Sequence, residues 1–282
     1  MRLEAKIVEA KVILEEAITR FQPRAVFALY SGGHDSVTAT HLAFNSIRVD
    51  AAVHVNTGIG VEATRVHVRS ICSQYGWRLL EYRAADNINK DGLPDPQIYK
   101  NLVLEHGFPG PHGHGMMYAR LKERQIRRLV REHKQHVRDK IMLISGCRQE
   151  ESIRRMGHTR KMQVDGARVW VAPLIQFTKH DIREYLCFHS IAHNPVVERL
   201  GMSGECLCGA FAKPGELDRI RLHYPDSAAE IDAIQSDVTA AGYPWSWEQG
   251  PPEWYLKYKD GQDFLSDDFM PLCMSCPSRR GA

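Results

Sequence analysis

The chain has 282 residues, 43% of them hydrophobic and 25% charged, with a formal net charge of +3. This composition supports a sizeable core in one large domain plus an appendage, or in two domains, and it excludes a disordered chain. No run approaches eighteen apolar residues and no secretory signal opens the chain, so seven cysteines predict a soluble protein in a reducing, cytoplasmic setting with no membrane partner.

Residues 1–21 space Leu3, Ile7, Val8, Val12, Ile13, Leu14, Ala17 and Ile18 as one face of an amphipathic helix. The apolar run 25–30 then enters Ser31-Gly-Gly-His-Asp-Ser36, followed by a helix-compatible stretch. A glycine turn between a buried strand and a helix N-terminus is built for an oxyanion: Gly32 and Gly33 let backbone amides approach, and the helix adds unpaired N–H groups and its positive end. Ser31 and Ser36 can donate hydroxyls, and Asp35 can hold Mg2+ against the same phosphates. His34 lies in the turn as part of the binding surface rather than as a catalyst. No Gly-Lys-Ser/Thr follows, which excludes the Walker pattern.

Further strands are predicted at 50–55, 78–82, 141–145 and 168–172. Helices are predicted at 36–46, 61–75, 95–106, 116–136, 150–156 and 179–188. This alternation specifies an α/β fold with a parallel sheet and flanking helices. Thr178 and Asp181 form a capping-box start, and Gly76 closes the 61–75 helix. Residues 58–63 also fit Gly-x-Gly-x-x-Ala, a rival dinucleotide fingerprint. The stretch 108–115, with His112 and His114, reads as a solvated loop able to act as a lid. From Arg120 to Lys140 nine Lys/Arg face three Asp/Glu, a basic face for a tRNA or DNA partner or for a small substrate's phosphates, with a solvated helix as the plain alternative. Residues 214–270 carry twelve acids and four bases, which marks a second region and suggests domains at 1–195 and 196–282. In the second region, Cys206 and Cys208 pair with Cys273 and Cys276 as a four-thiolate set that suits a 4Fe-4S cluster or zinc equally by ligand count. Packing is the plainer reading of the aromatic residues crowded near the end of the chain.

The Ser-Gly-Gly-x-Asp-Ser turn resembles the PP-loop of the adenine-nucleotide α-hydrolase-like superfamily. Four later stretches resemble, in order, its phosphoadenosine phosphosulfate (PAPS) reductase branch: Val53 to Thr64, Ser145 to Ser152 with Arg154 and Arg155, Val171 to Ile182, and His193 to Cys208. The resemblance covers about residues 25–210. It implies an adenine nucleotide, ATP or PAPS, with adenine read at Val53 and Val55 and the ribose passing Thr57 and Gly58. Phosphate or sulfate would meet Arg148, Arg154 and Arg155, and Asp35, Arg148 and Cys147 would carry the chemistry. A 4Fe-4S cluster is favoured over zinc, since relatives carry one beside the nucleotide. The chain departs from adenylyl-sulfate reductases in lacking a Cys-Cys pair, with Met116-Met117 in that place, and a terminal Glu-Cys-Gly segment. The implied activity is therefore ATP cleavage to AMP and pyrophosphate for sulfur transfer, aided by a sulfur-donor or reductant protein. The alternatives are a sulfite-releasing PAPS or adenylyl-sulfate reductase, with Cys147 or an external thiol as attacker, and a non-catalytic nucleotide-binding partner.

Overall fold

The computed structural model describes residues 2–89, 92–151 and 160–258. Six strands form one sheet in the order β3-β2-β1-β4-β6-β5: β1 Ala25–Leu29, β2 Ala51–Asn56, β3 Leu79–Arg83, β4 Ile141–Ile144, β5 Met162–Asp165 and β6 Arg168–Val171. All neighbours are parallel except β5 with β6. Every residue of β1 and β4 is buried, as required when helices cover both faces of a parallel sheet. β5 has no counterpart among the predicted strands, because Met-Gln-Val-Asp is half-buried or exposed and has no apolar run; it exists only as the edge partner of β6 across a two-residue hairpin in which Gly166 takes φ +57°.

The helices are α1 Leu3–Phe21, α2 His34–Phe44, α3 Glu62–Gln74, α4 Ile98–His106, α5 His114–Tyr118, α6 Arg124–His133, α7 Lys179–Phe188, α8 Pro195–Leu200, α9 Glu216–His223, α10 Pro225–Ala240 and α11 Glu253–Tyr258. The amphipathic reading of α1 holds: Leu3, Ala10, Ile13, Leu14 and Ala17 are buried, in one core with residues of α2, α7 and the sheet. On the other face of the sheet, Ile126, Leu129 and Val130 of α6 pack on Phe27, Leu143 and Trp170. The single helix expected over 116–136 is instead α5 and α6 joined by a π-helical segment, Ala119–Glu123. Most of the helix expected at 150–156 lies outside the described residues.

A third core joins Ile59, Val61, Leu102, Val103, Phe108 and Leu121 to Leu207, Ile220, Ile231, Trp245 and Trp247. It crosses the boundary drawn at residue 195, so the C-terminal helices complete the core begun by α4 and α5 rather than forming a separate one. Of the stretch 108–115 expected as a solvated loop, only Pro111 and His112 are exposed, and the rest is packed. Phe108 is fully buried, its carbonyl accepts a hydrogen bond from Trp245 Nε1 at 3.0 Å, and His114 packs on Phe211 with ring centroids 4.7 Å apart. Gly107 explains the fit, since a Cβ there would lie 2.4 Å from the Trp245 ring.

The capping box at α7 forms as its sequence predicts: Thr178 Oγ1 accepts from the Asp181 amide at 3.2 Å, and the Asp181 carboxylate accepts from the Thr178 amide. Asp181 also pairs with Lys6, which ties α1 to α7. Thr178→Ala is expected to cost about 1 kcal/mol of stability, measured by denaturant unfolding. Burial pushes the Asp181 pKa up, but Lys6 and Thr178 outweigh it and the net direction is down. The stability this carboxylate contributes is therefore present above its unfolded pKa and lost as pH falls through the depressed value. Asp181→Asn should lower Tm at neutral pH and flatten the acid limb of the Tm–pH curve.

Candidate functional site

The site lies where strand order reverses. β1 has β2 on one side and β4 on the other, so the chains leaving the C-terminal ends of β1 and β4 diverge and open a crevice. The turn Ser31–Ser36 fills one wall of it. Gly32 takes φ +82°, and a Cβ there would lie 2.6 Å from Thr64 Cγ2, so only glycine allows the turn to sit so close to α3. Ser36 Oγ knots the turn: it donates to the Gly33 carbonyl at 2.9 Å and accepts from the Ser31 amide at 3.3 Å. Asn194 Nδ2 donates to the Gly32 carbonyl at 2.9 Å.

The opposite wall is Ser145-Gly146, directly after β4. A Cβ on Gly146 would lie 2.6 Å from the Asp35 carbonyl carbon, so the two post-strand loops touch backbone to backbone. Between them a pocket is lined by Leu29, Tyr30, Ser31, Ser36, Val53, Val55, Lys122, Ser145, Gly146 and Glu205. Ser31, Ser36, Val53 and Val55 thus come together as expected. Thr57 and Gly58 stand beyond the rim: Thr57 is buried, with its amide and hydroxyl donating to Glu205, and Gly58 is exposed at φ +82°.

Other expected residues sit differently. Arg148 is 6% exposed, and its Nε donates to Asp35 Oδ1 at 2.8 Å while Nη1 donates to Glu150 at 3.0 Å. The guanidinium therefore orients Asp35 instead of reaching into the pocket, and Asp35 presents an ion pair rather than a bare carboxylate. Cys147 is 2% exposed, belongs to the main apolar core and is not among the residues that line this pocket. Cys72 is core, and burial pushes its thiol up to about 12, whereas Cys187 is exposed. Arg154, Arg155, Cys273 and Cys276 lie outside the described residues. Cys206 and Cys208 share a cleft with Met202, Lys213, Arg219 and Trp247. His34 turns away from the pocket toward His193, their ring centroids 4.9 Å apart. Burial first, and His193 next, hold the His34 pKa down; burial with the His34 and His193 rings lowers His67 to about 4.

The rival dinucleotide fingerprint is accounted for by packing. A Cβ on Gly60 would lie 2.4 Å from the Glu205 carbonyl oxygen, and the Val61 amide donates to the Gly204 carbonyl at 2.8 Å. The N-terminus of α3 is thus covered by residues 203–205 and offers no open pyrophosphate site.

Glu205 and Lys122 are pocket residues that the sequence motifs do not mark. Lys122 reaches the pocket through the π-helical segment, which shifts the face that an α-helix would present. Glu205, 3% exposed, faces His54 on β2, with Nε2 and Oε2 2.9 Å apart but poorly aligned for a hydrogen bond. His54 Nδ1 is 2.8 Å from the Tyr30 carbonyl, and Arg65 Nε stands 3.9 Å from the same Glu205 oxygen. The available signal is a titratable residue beside or within an apolar stretch: His54 within Ala-Ala-Val-His-Val, and Glu205 just before the cysteine pair.

Burial pushes the His54 pKa down, but the Glu205 carboxylate and the Tyr30 carbonyl outweigh it and the net direction is up. A raised value means that its stabilising charge is fully present below the unfolded pKa and lost as pH rises through the folded one. Raising the buffer from about pH 6 to about pH 9 should therefore lower Tm more in the wild type than in Glu205→Gln.

The family model of the phosphoadenosine phosphosulfate reductase domain matches residues 25–203. No curated protein matches the chain. Among solved structures, the chain is similar to a PAPS reductase from Candida auris in a phosphate complex (14% identity, TM-score 0.49, covering 69% of this chain and 85% of that one). It is also similar to an NH3-dependent NAD synthetase from Campylobacter jejuni (11%, 0.49, 89% and 98%). A third is the FMN adenylyltransferase of Candida glabrata with FAD and pyrophosphate (12%, 0.48, 71% and 62%).

Proposed function

This chain belongs to the phosphoadenosine phosphosulfate reductase family, with the α/β fold of PP-loop proteins, and on that premise we propose that it activates an acceptor with ATP for sulfur transfer. The observation that carries the reading is the knotted glycine turn opposite Ser145-Gly146 at the strand-order reversal, with an apolar pocket wall alongside. Adenine would enter against Leu29, Tyr30, Val53 and Val55. The phosphates would lie on the amides after Gly32 and on the Ser31 and Ser36 hydroxyls, with the N-terminus of α2 behind them. An acceptor oxygen would attack the α-phosphorus, forming the new P–O bond as the α–β bond breaks and pyrophosphate leaves. Developing charge would be met by the loop amides and by Lys122, since Arg148 is committed to Asp35. A sulfur nucleophile would then displace AMP from the acceptor.

Each Asp35 oxygen accepts from Arg148, at 2.8 and 3.4 Å, yet retains lone-pair capacity, so Mg2+ arriving with the phosphates could still be met by this carboxylate. Cys206 and Cys208 share one cleft and fit half of a four-thiolate site; with Cys273 and Cys276 they would hold a 4Fe-4S cluster, or zinc in its place. The cluster would supply a place to hold sulfur or simply order the region next to Glu205. Because Cys147 does not line the nucleotide pocket, an external thiol would have to take its place, and sulfite release with Cys147 as attacker is not carried forward. Neither is a bare nucleotide-binding role, which ATP binding without turnover would reveal.

For a nucleic-acid acceptor, the basic segment divides in two. Lys122 reaches the pocket, whereas Arg127, Arg131, Lys134 and Arg168 line a groove beside the starts of β4 and β6, the opposite end of the sheet. The ten-residue α6 separates them by about 15 Å, so a strand bound in the groove would have to run along α6 to reach the nucleotide. A sulfur-donor or reductant protein remains part of the proposal, and we assign the activity to the cytoplasm. No described helix is long and apolar enough to cross a membrane.

Incubation of anaerobically purified protein with ATP, Mg2+, a sulfide source and tRNA or small hydroxyl acceptors should yield AMP and pyrophosphate in equal amounts. Gly32→Ala, which drives a Cβ toward Thr64, should lower that yield about a hundredfold. Tight ATP binding without either product would overturn the catalytic reading.

A further inference from the structure

A cluster beside the glycine turn is used by none of these steps. His34 is the first residue of α2, and His193 and Glu198 flank the start of α8; none of the three lines the nucleotide pocket. His34 Nε2 lies 3.4 Å from Glu198 Oε1, and His193 Nδ1 lies 3.2 Å from the same oxygen. One ligand atom from each of the three falls within 4.8 Å of the others. A cation bound at about 2.0–2.1 Å from nitrogen and oxygen ligands holds neighbouring ligand atoms about 3–3.5 Å apart, a range that contains both imidazole-to-carboxylate separations. His34 Nε2 is also shut off from solvent and makes no hydrogen bond among the described residues, although it is the nitrogen facing the carboxylate. An imidazole nitrogen buried without a partner is costly, and a cation would supply one.

We propose that His34, His193 and Glu198 bind a divalent transition-metal ion of the zinc class. Two imidazoles and one carboxylate suit such ions, whereas Mg2+ and Ca2+ prefer all-oxygen sites. Three protein ligands leave at least one position open to water or an oxygen anion, the arrangement of reactive rather than purely structural metal sites. Asn194, next to His193, holds the Gly32 carbonyl at 2.9 Å, so a cation here would pin the start of α8 to both the turn and α2. The ligand set is complete without a nucleotide, and the inference goes beyond the sulfur-transfer reading without resting on it.

The test is titration of the metal-stripped full chain with Co2+, without nucleotide, followed by visible absorption, calorimetry and thermal melting. Besides any cobalt taken by the cysteines, which shows intense sulfur-to-cobalt charge transfer, one further equivalent should bind with ligand-field bands lacking that absorption, and Tm should rise. His193→Ala and Glu198→Gln, both at exposed side chains, should each weaken this binding about tenfold or more and remove the Tm rise, with unchanged circular dichroism. Absence of nitrogen- and oxygen-ligated cobalt, or equal binding by both variants, would overturn the site.

Discussion

Close approach of backbones, permitted by missing Cβ atoms, is the constraint on which this structure depends. Gly32 brings the phosphate turn against Thr64, Gly146 brings the loop after β4 against Asp35, and Gly60 brings residues 204–205 against the start of α3. At Gly146 and Gly60 the neighbour is itself main chain, whereas at Gly32 it is the buried Thr64 side chain in α3. Together they draw the ends of β1, β2 and β4 into a single pocket, with the amides of the turn presented and the carbonyls of Gly32 and Gly33 already bonded to Asn194 and Ser36. An anion meeting such a turn encounters donors that need no further reorganisation.

Around that frame, charge serves positioning as much as binding. Arg148 orients Asp35 and Glu150, and Glu205 faces His54 from a segment distant in sequence. Glu205 also lines the pocket, so the C-terminal half of the chain contributes directly to the floor on which a nucleotide would rest. The shared apolar core of α4, α5, α9 and α10 packs that segment against the PP-loop half. The PP-loop sheet thus has its site closed by the segment beyond α8, and Cys206, the residue after Glu205, lines a neighbouring cleft together with Cys208.

The basic segment illustrates how a uniform sequence feature can serve different ends of a molecule. Its hydrophobic stripe buries Ile126, Leu129 and Val130 against the sheet, which orients α6 along the strands. A helix running along a parallel sheet must carry its charges from one end of the strands to the other. Lys122 therefore belongs to the pocket, while Arg131 and Lys134 belong to a groove at the far edge.

Sequence alone determined whatever depends on local pattern: the buried runs of β1 and β4, the face of α1, the capping box at Thr178 and the glycine turn with its serines. These arise from periodicity, propensity and backbone freedom, which neighbours in the chain supply. Tertiary structure alone decided the edge strand β5, the π-helical shift that delivers Lys122, the burial of Cys147, the commitment of Arg148 to Asp35 and the meeting of His34 with His193 and Glu198. Most of these join residues far apart in the chain or set a side chain's exposure by the groups that pack over it, while β5, whose partner β6 is the next strand, is specified by pairing rather than by an apolar run of its own.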